Sequence, residues 1–185
     1  MTIQGKNGID VILAESLKEL SESRPIDKIT IKEITDKAGV IRPTFYNHFQ
    51  DKYELLEWIV REELVNPALP LIDNGLVKEG LTFIFTAMEK EKTFYTRAAK
   101  IEGQNSFAEM IFICAKEMIL SHMNVEEVQT KGKYSWVTPD LVAEFYAKSM
   151  CVVVMRWVES GMKVPANEFV DVFMSLAQEP LFGLF

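Results

Sequence analysis

Five side chains that can donate or accept hydrogen bonds crowd into the seven residues from Arg42 to His48: Arg42, Thr44, Tyr46, Asn47 and His48. Polar groups at that density are poor core material but suit base edges and phosphate oxygens in a nucleic-acid groove. An arginine grips guanine O6 and N7 with two donors, worth about 1–3 kcal/mol of discrimination against the wrong base. No comparable set points to catalysis. The chain has no G-x-S-x-G, no H-E-x-x-H, no phosphate loop and no paired carboxylates in an apolar setting. The other histidine, His122, stands in a different part of the chain, which argues against His48 as a general base or metal ligand. Cys114 and His122 are eight residues apart, about 12 Å along a helix, too far for a dyad. No cofactor or metal is expected.

Short helices must position this cluster. Thr30-Ile31-Lys32-Glu33 is a capping-box sequence that opens a helix, and Gly39 suits the left-handed turn that closes one. A second short helix starts around Arg42-Pro43, where proline loses no helical partner, and is over by Phe49. The pair has the dimensions of a helix-turn-helix. Phe45 and Phe49 are expected to face the core beneath it. Upstream, Ile9, Ile12, Leu13, Leu17 and Leu20 follow the spacing of one buried helical stripe, which ends before Pro25. Downstream, Asp51-Lys52-Tyr53-Glu54 opens a longer helix that buries Leu55, Leu56, Ile59, Val60 and Leu64.

Pro67, Pro70 and the Asp73-Asn74-Gly75 turn separate this first unit from an aromatic- and Met-rich remainder. Helices are predicted there over about 76–90, 92–101, 105–122, 139–160 and 166–179, with Gly132 and Pro139 marking a polar loop. Residues 141–158 are apolar on nearly every face, as in a helix that is central or covered by a second subunit. No stretch reads as a strand, so the expected fold is all-α. The division expected is residues 1–52 for a three-helix DNA-binding domain and 53–185 for a helical bundle.

Ile34-Thr35-Asp36-Lys37-Ala38-Gly39-Val40, then Thr44-Phe45-Tyr46-Asn47-His48-Phe49 and Lys52, resembles the signature of the tetracycline-repressor family of bacterial transcriptional regulators. The likeness spans roughly residues 9–60. Many relatives carry Ser directly after Gly-Val; here Ile41 stands there, so the recognition helix needs another cap. The resemblance implies that Arg42 and Thr44, with Pro43 beside them, reach base edges, and that Tyr46 and His48 meet phosphates. Lys52 would add charge and helix-start N–H groups to the backbone grip. Asn47 suits either role. Thr30 and Lys32 join the candidate DNA contacts, while Lys32 and Lys37 serve equally as solvated surface.

The resemblance further implies that the C-terminal helices enclose a small-molecule pocket and that the last two pair with those of a second subunit. An apolar cavity with few polar groups is the expected form of such a site. Phe83, Phe94, Phe107, Met110, Trp136, Tyr146 and Met150 are its candidate lining. The partners implied are near-palindromic operator DNA, an unidentified effector and a second copy of the chain, with repression as the expected sign. A weaker likeness from Phe94 to Phe107 is to a subgroup that includes activators of dihydroxyacetone-kinase operons, which keeps activation, or action with a partner protein, as the alternative.

Bulk properties fit this reading only locally. The 185-residue chain carries a net charge of −7, against a nucleic-acid partner at first sight. Within residues 28–52, however, Lys28, Lys32, Lys37, Arg42 and Lys52 face only Glu33, Asp36 and Asp51. A local positive face suffices to meet phosphates. Neither a secretory pattern nor a membrane-length apolar run is found, so a cytoplasmic location is expected and no membrane partner. Cys114 and Cys151, outside any C-x-x-C pair, read as small hydrophobes in a reducing cell.

Overall fold

The structure is a computed structural model that describes residues 8–103, 105–123 and 136–178. The polar loop expected around Gly132 lies outside them. Among the described residues every regular element is helical. Ten α-helices follow in order: α1 (Gly8–Ser21), α2 (Ile31–Ala38), α3 (Arg42–Tyr46), α4 (Lys52–Ile59), α5 (Asn66–Asp73), α6 (Val77–Lys90), α7 (Lys92–Ala98), α8 (Phe107–His122), α9 (Pro139–Glu159) and α10 (Ala166–Gln178). A short 3₁₀ turn, Ile26–Lys28, precedes α2. No helix among them is long and apolar enough to cross a membrane.

The helix starts obey local chemistry. Thr30 accepts from the Glu33 N–H while the Glu33 carboxylate accepts from the Thr30 N–H, a complete capping box. Gly39 closes α2 at φ 69°, a conformation that a Cβ would strain. Asp51 accepts from the Tyr53 and Glu54 N–H groups, Ser106 from Glu109 and Thr138 from Leu141. For α3 no side chain replaces the missing serine: Ile41 stands at the cap without a side-chain hydrogen bond, and Pro43 sits in the first turn.

Leu13 and Leu17 of α1, Ile34 of α2, Phe45 and Phe49 around α3, and Leu55, Leu56 and Ile59 of α4 form one head core. Ile12 departs from the expected stripe and is 45% exposed, because it sits on the flank next to Leu13. Ser16 takes the core side instead and donates its hydroxyl to the Ile12 carbonyl at 2.8 Å.

The joint between head and body differs from the separation expected at Pro67 and Pro70. The chain stays helical: α4 runs into a π turn over Val60–Val65, which leads directly into α5. Pro67 falls in the first turn of α5, and because the chain before it is helical its missing N–H leaves one carbonyl of the preceding turn without that donor. The wider turn before it takes up the mismatch that a proline ring imposes on the preceding carbonyls. Lys18 of α1 ties the head to this turn, reaching Glu63 at 3.0 Å and Glu15 at 2.7 Å. Although its burial opposes charge, those two carboxylates raise its pKa overall.

The body is built of α5–α10. Helices α8 and α9 pack along each other, and α6 lies between α5 and α10. Phe85, Trp157, Phe169 and Phe173 meet in one cluster, in which Trp157 and Phe169 stack with centroids 4.4 Å apart. The helix expected to be buried all round is not covered within one chain. On α9, Phe145 and Val152 are 65% and 62% exposed, with Leu141 and Tyr146 beside them; Val172 and Leu176 of α10 are exposed too.

Candidate nucleic-acid interface and apolar cavity

Helix α3 is held from below and bare above. Phe45 and Phe49 are buried, with Trp58 edge-on to Phe49 at 6.1 Å. Their anchoring turns Arg42, Pro43, Tyr46 and Asn47 to solvent, while Thr44 is half-buried. Arg42 Nη2 donates to the Tyr46 hydroxyl at 3.1 Å, and its guanidinium lies 5.8 Å from that ring's centroid. The two side chains thus stand together on the outer face, one turn apart. Tyr46 is no core aromatic.

Two other expected contacts are occupied within the fold. Lys52 Nζ donates to three backbone carbonyls, Ile26 at 2.9 Å, Asp27 at 2.6 Å and Ile29 at 2.8 Å. All three ammonium donors are thereby used, and burial pushes the group's pKa down. In this geometry Lys52 staples the 3₁₀ turn to the start of α4. The helix-start N–H groups beside it are likewise taken by Asp51. His48 is mostly buried and places Nδ1 2.7 Å from Asp10 Oδ1 of α1. The two face each other without hydrogen-bond geometry, and that buried oxygen has no hydrogen-bond partner. His48 stands between the end of α3 and α1, less exposed than Arg42, Tyr46 and Asn47.

Around α2, Thr30 is spent on its cap, although its residue is exposed. Lys32 is exposed and pairs with Asp36 at 2.8 Å, and Lys37 pairs with Glu19. Glu33 is held down to about 2, first by the Thr30 N–H and then by Arg24 and the Thr30 hydroxyl. One exposed side chain had no place in the sequence-based set: Ile41, 69% exposed immediately before Arg42. Its signal in the sequence was the substitution of a cap residue by an aliphatic one.

The body contains an apolar cavity of about 260 Å³. Its wall combines Val60, Leu64 and Val65 of the π turn with residues of α5, α6, α8, α9 and α10, among them Ile72, Leu81, Met88 and Met118. Of the seven lining residues expected, Met150 alone borders it. Phe94 and Phe107 are buried instead around Tyr95, at centroid distances of 5.1 and 5.9 Å, and Met110 is buried in the same core. Phe83, Trp136 and Tyr146 are exposed.

Cys114 and Cys151 both border the cavity, and burial pushes both thiols up to about 11, which keeps them protonated and poorly nucleophilic. At the rim His122 has Nδ1 2.8 Å from the Met118 carbonyl and Nε2 2.7 Å from Asp73 Oδ1. The carbonyl first, and then the carboxylate, raise its pKa. Among the described residues no group of three potential ligands could hold a metal ion.

An all-helical chain with an N-terminal helix-turn-helix and a C-terminal helical body defines a class, the helix-turn-helix transcriptional regulators. Residues 12–59 match the family described as bacterial regulatory proteins, tetR family, and residues 77–179 match a transcriptional regulator C-terminal region. The chain belongs to the TetR family of transcriptional regulators, and it is not an enzyme. It is 24% identical over 173 residues to the HTH-type dhaKLM operon transcriptional activator DhaS of Lactococcus lactis subsp. lactis (strain IL1403), covering 92% of this chain and 90% of that one. The solved structure of a dihydroxyacetone kinase operon activator DhaS superposes with a TM-score of 0.61 at 21% identity, over 91% of this chain and 93% of the other. The fatty acid degradation regulator FadR from Bacillus halodurans follows at 0.59 and 15% identity, over 96% and 98%. These structural likenesses establish the fold.

Proposed function

We propose that the protein is a dimeric operator-binding regulator whose DNA affinity is set by a small molecule in the apolar cavity of the body. The observation that carries the DNA reading is the outer face of α3, where Arg42, Tyr46 and Asn47 stand exposed over the buried Phe45 and Phe49. Arg42 and Thr44 read bases, and Tyr46 meets phosphate. In this reading residues 1–52 form the DNA-reading head and 53–185 the body. Uncovered apolar positions on α9 and α10 supply the face for a second copy. Two-fold symmetry then calls for a near-palindromic operator with half-site centres about 34–36 Å apart, or a multiple of it.

The cavity's lining selects an apolar effector. A dry cavity of about 150 Å³ takes benzene, which scales to a ligand of roughly ten carbon atoms here. An effector shifts DNA affinity only by its differential affinity for the two head arrangements. Val60, Leu64 and Val65 give it a direct contact with the chain's route to the head.

Gel-shift titration of genomic fragments flanking the gene tests the DNA reading. A sequence-selective shift with a two-half-site footprint is the expected result. No selective shift at any salt concentration overturns it in favour of a co-regulator that does not bind DNA. Repression is the first reading of sign; activation is the second, supported by the relative named as an operon activator. A promoter reporter in a deletion strain separates them: expression rises if the protein represses and falls if it activates.

A further inference from the structure

A second concavity, of about 480 Å³, is lined by basic and hydroxyl-bearing side chains. Lys92, Thr93, Thr96, Arg97 and Lys100, on one side of α7 and the turn that ends it, line it together with Pro25 of the head and Gly161 between α9 and α10. No acidic residue borders it. Among the described residues none of its three cations has a carboxylate within 4.0 Å. Arg97 spends one Nη2 donor on the Glu22 carbonyl, at 2.9 Å, and keeps the rest of its fork. Thr96 Oγ1 is buried without a hydrogen-bond partner. The adjoining depression, which shares Lys92 and Thr93, is lined by Glu15, Glu19, Glu22 and Glu91, so the positive charge is confined to this cleft in a chain of net charge −7.

We propose that this cleft binds a phosphate-bearing small molecule, at a site separate from the apolar cavity. Three positive groups and the Thr93 hydroxyl exceed what one carboxylate can use. A phosphate monoester, with three terminal oxygens and a charge near −2, takes a bidentate grip from Arg97 and point charges from Lys92 and Lys100. A χ1 rotation of Thr96 would turn its unused hydroxyl toward the anion.

Phosphate also comes from the DNA backbone, but the placement disfavours that source. Helix α1 has Asp10 beside His48 near the DNA-reading end and is followed, past its other end, by Glu22 beside Arg97. Its fourteen residues set the two about 20 Å apart. An occupant of the cleft would touch Pro25 on the head and α7 on the body at once. Its binding and DNA binding are then linked, each changing the other by the same factor.

Inorganic phosphate and pyrophosphate are the probes, titrated calorimetrically into the full chain with ionic strength held constant by sodium chloride. Saturable binding is expected, tighter for pyrophosphate, with amide shifts concentrated at Thr93, Thr96 and Gly161. In Lys92→Gln/Lys100→Gln, which leaves Arg97 on its carbonyl, affinity should fall about tenfold while the melting temperature without ligand stays unchanged. Should the pair of changes unfold the chain, Lys100→Gln alone serves. Absence of saturable binding, or equal affinity in wild type and variant, overturns the proposal. So does weaker DNA binding with a flatter salt slope by the variant in phosphate-free buffer, since that assigns the cleft to the DNA backbone.

Discussion

Arg42 and Lys52 carry the same charge and, in the sequence, equal claims to the DNA. The structure gives them different work. Arg42→Ala should leave the melting temperature unchanged and cost about 1–3 kcal/mol of specific affinity, with relaxed base preference, in gel shifts against operator variants. Lys52→Ala removes the donors from three backbone carbonyls, two of them part-buried, and should cost about 1–3 kcal/mol of stability, read by thermal or urea unfolding. Equal melting temperatures for Lys52→Ala and wild type would sink the staple assignment. Glu33 gives a pH signature. Its folded pKa of about 2 lies below the ordinary value of 4.5, so the capping box stabilises α2 fully above 4.5. That contribution is lost as pH falls through about 2. Glu33→Gln should flatten the acid limb of the unfolding curve in that window, followed by circular dichroism. Nothing in the sequence separates a lysine that staples carbonyls from one that grips phosphate, because both tasks ask for the same ammonium. Arg42, by contrast, was legible from its neighbours: an arginine beside a first-turn proline, over two buried phenylalanines, has nowhere to point but outward.

At the scale of helices, caps and glycines speak locally and were readable. Thr30 with Glu33, Gly39, Asp51 and Pro139 set helix boundaries within a residue or two of the structure. The cavity was not readable, since Leu64 or Met88 has the same spacing and chemistry whether its far side meets a neighbour or a void. The π turn was hidden because Pro67 and Pro70 signal a break unless the preceding turn widens. Gly80 shows how close the body helices come. A Cβ there would stand 2.6 Å from Ile72 Cγ1, a branch atom that cannot simply swing away. Gly80→Ala should therefore force Ile72, which borders the cavity, to shift and cost about 1–3 kcal/mol. Denaturant unfolding reads the cost, and an unchanged midpoint would show that α5 yields freely.

On the scale of the whole molecule, α9 and α10 present an uncovered apolar face. Phe145, Val152, Val172 and Leu176 are each about half or more exposed in the single chain. Val152→Glu, at 62% exposure, should leave the monomer's fold intact and shift sedimentation or light-scattering mass from dimer to monomer. Wild-type mass equal to one chain at micromolar concentration would remove the dimer from the reading. The sequence had marked residues 141–158 as apolar on nearly every face. It could not say which side its own chain covers, because the partners of α9, namely α8, α7 and α10, are set by topology and not by period.

The π turn from Val60 to Val65 has a mechanical consequence. A wide turn holds one residue more than an α turn in about the same length, so it is a spliced-in tooth on a screw whose pitch is about 1.5 Å and 100° per residue. The surplus residue is absorbed within that one turn, so excising one residue between 60 and 65 would restore an even thread with head and body in nearly the same bearing. The same excision within the regular turns of α4 would swing α3 by roughly 100° about the axis of that helix. Each half could remain folded while its bearing toward the other was lost.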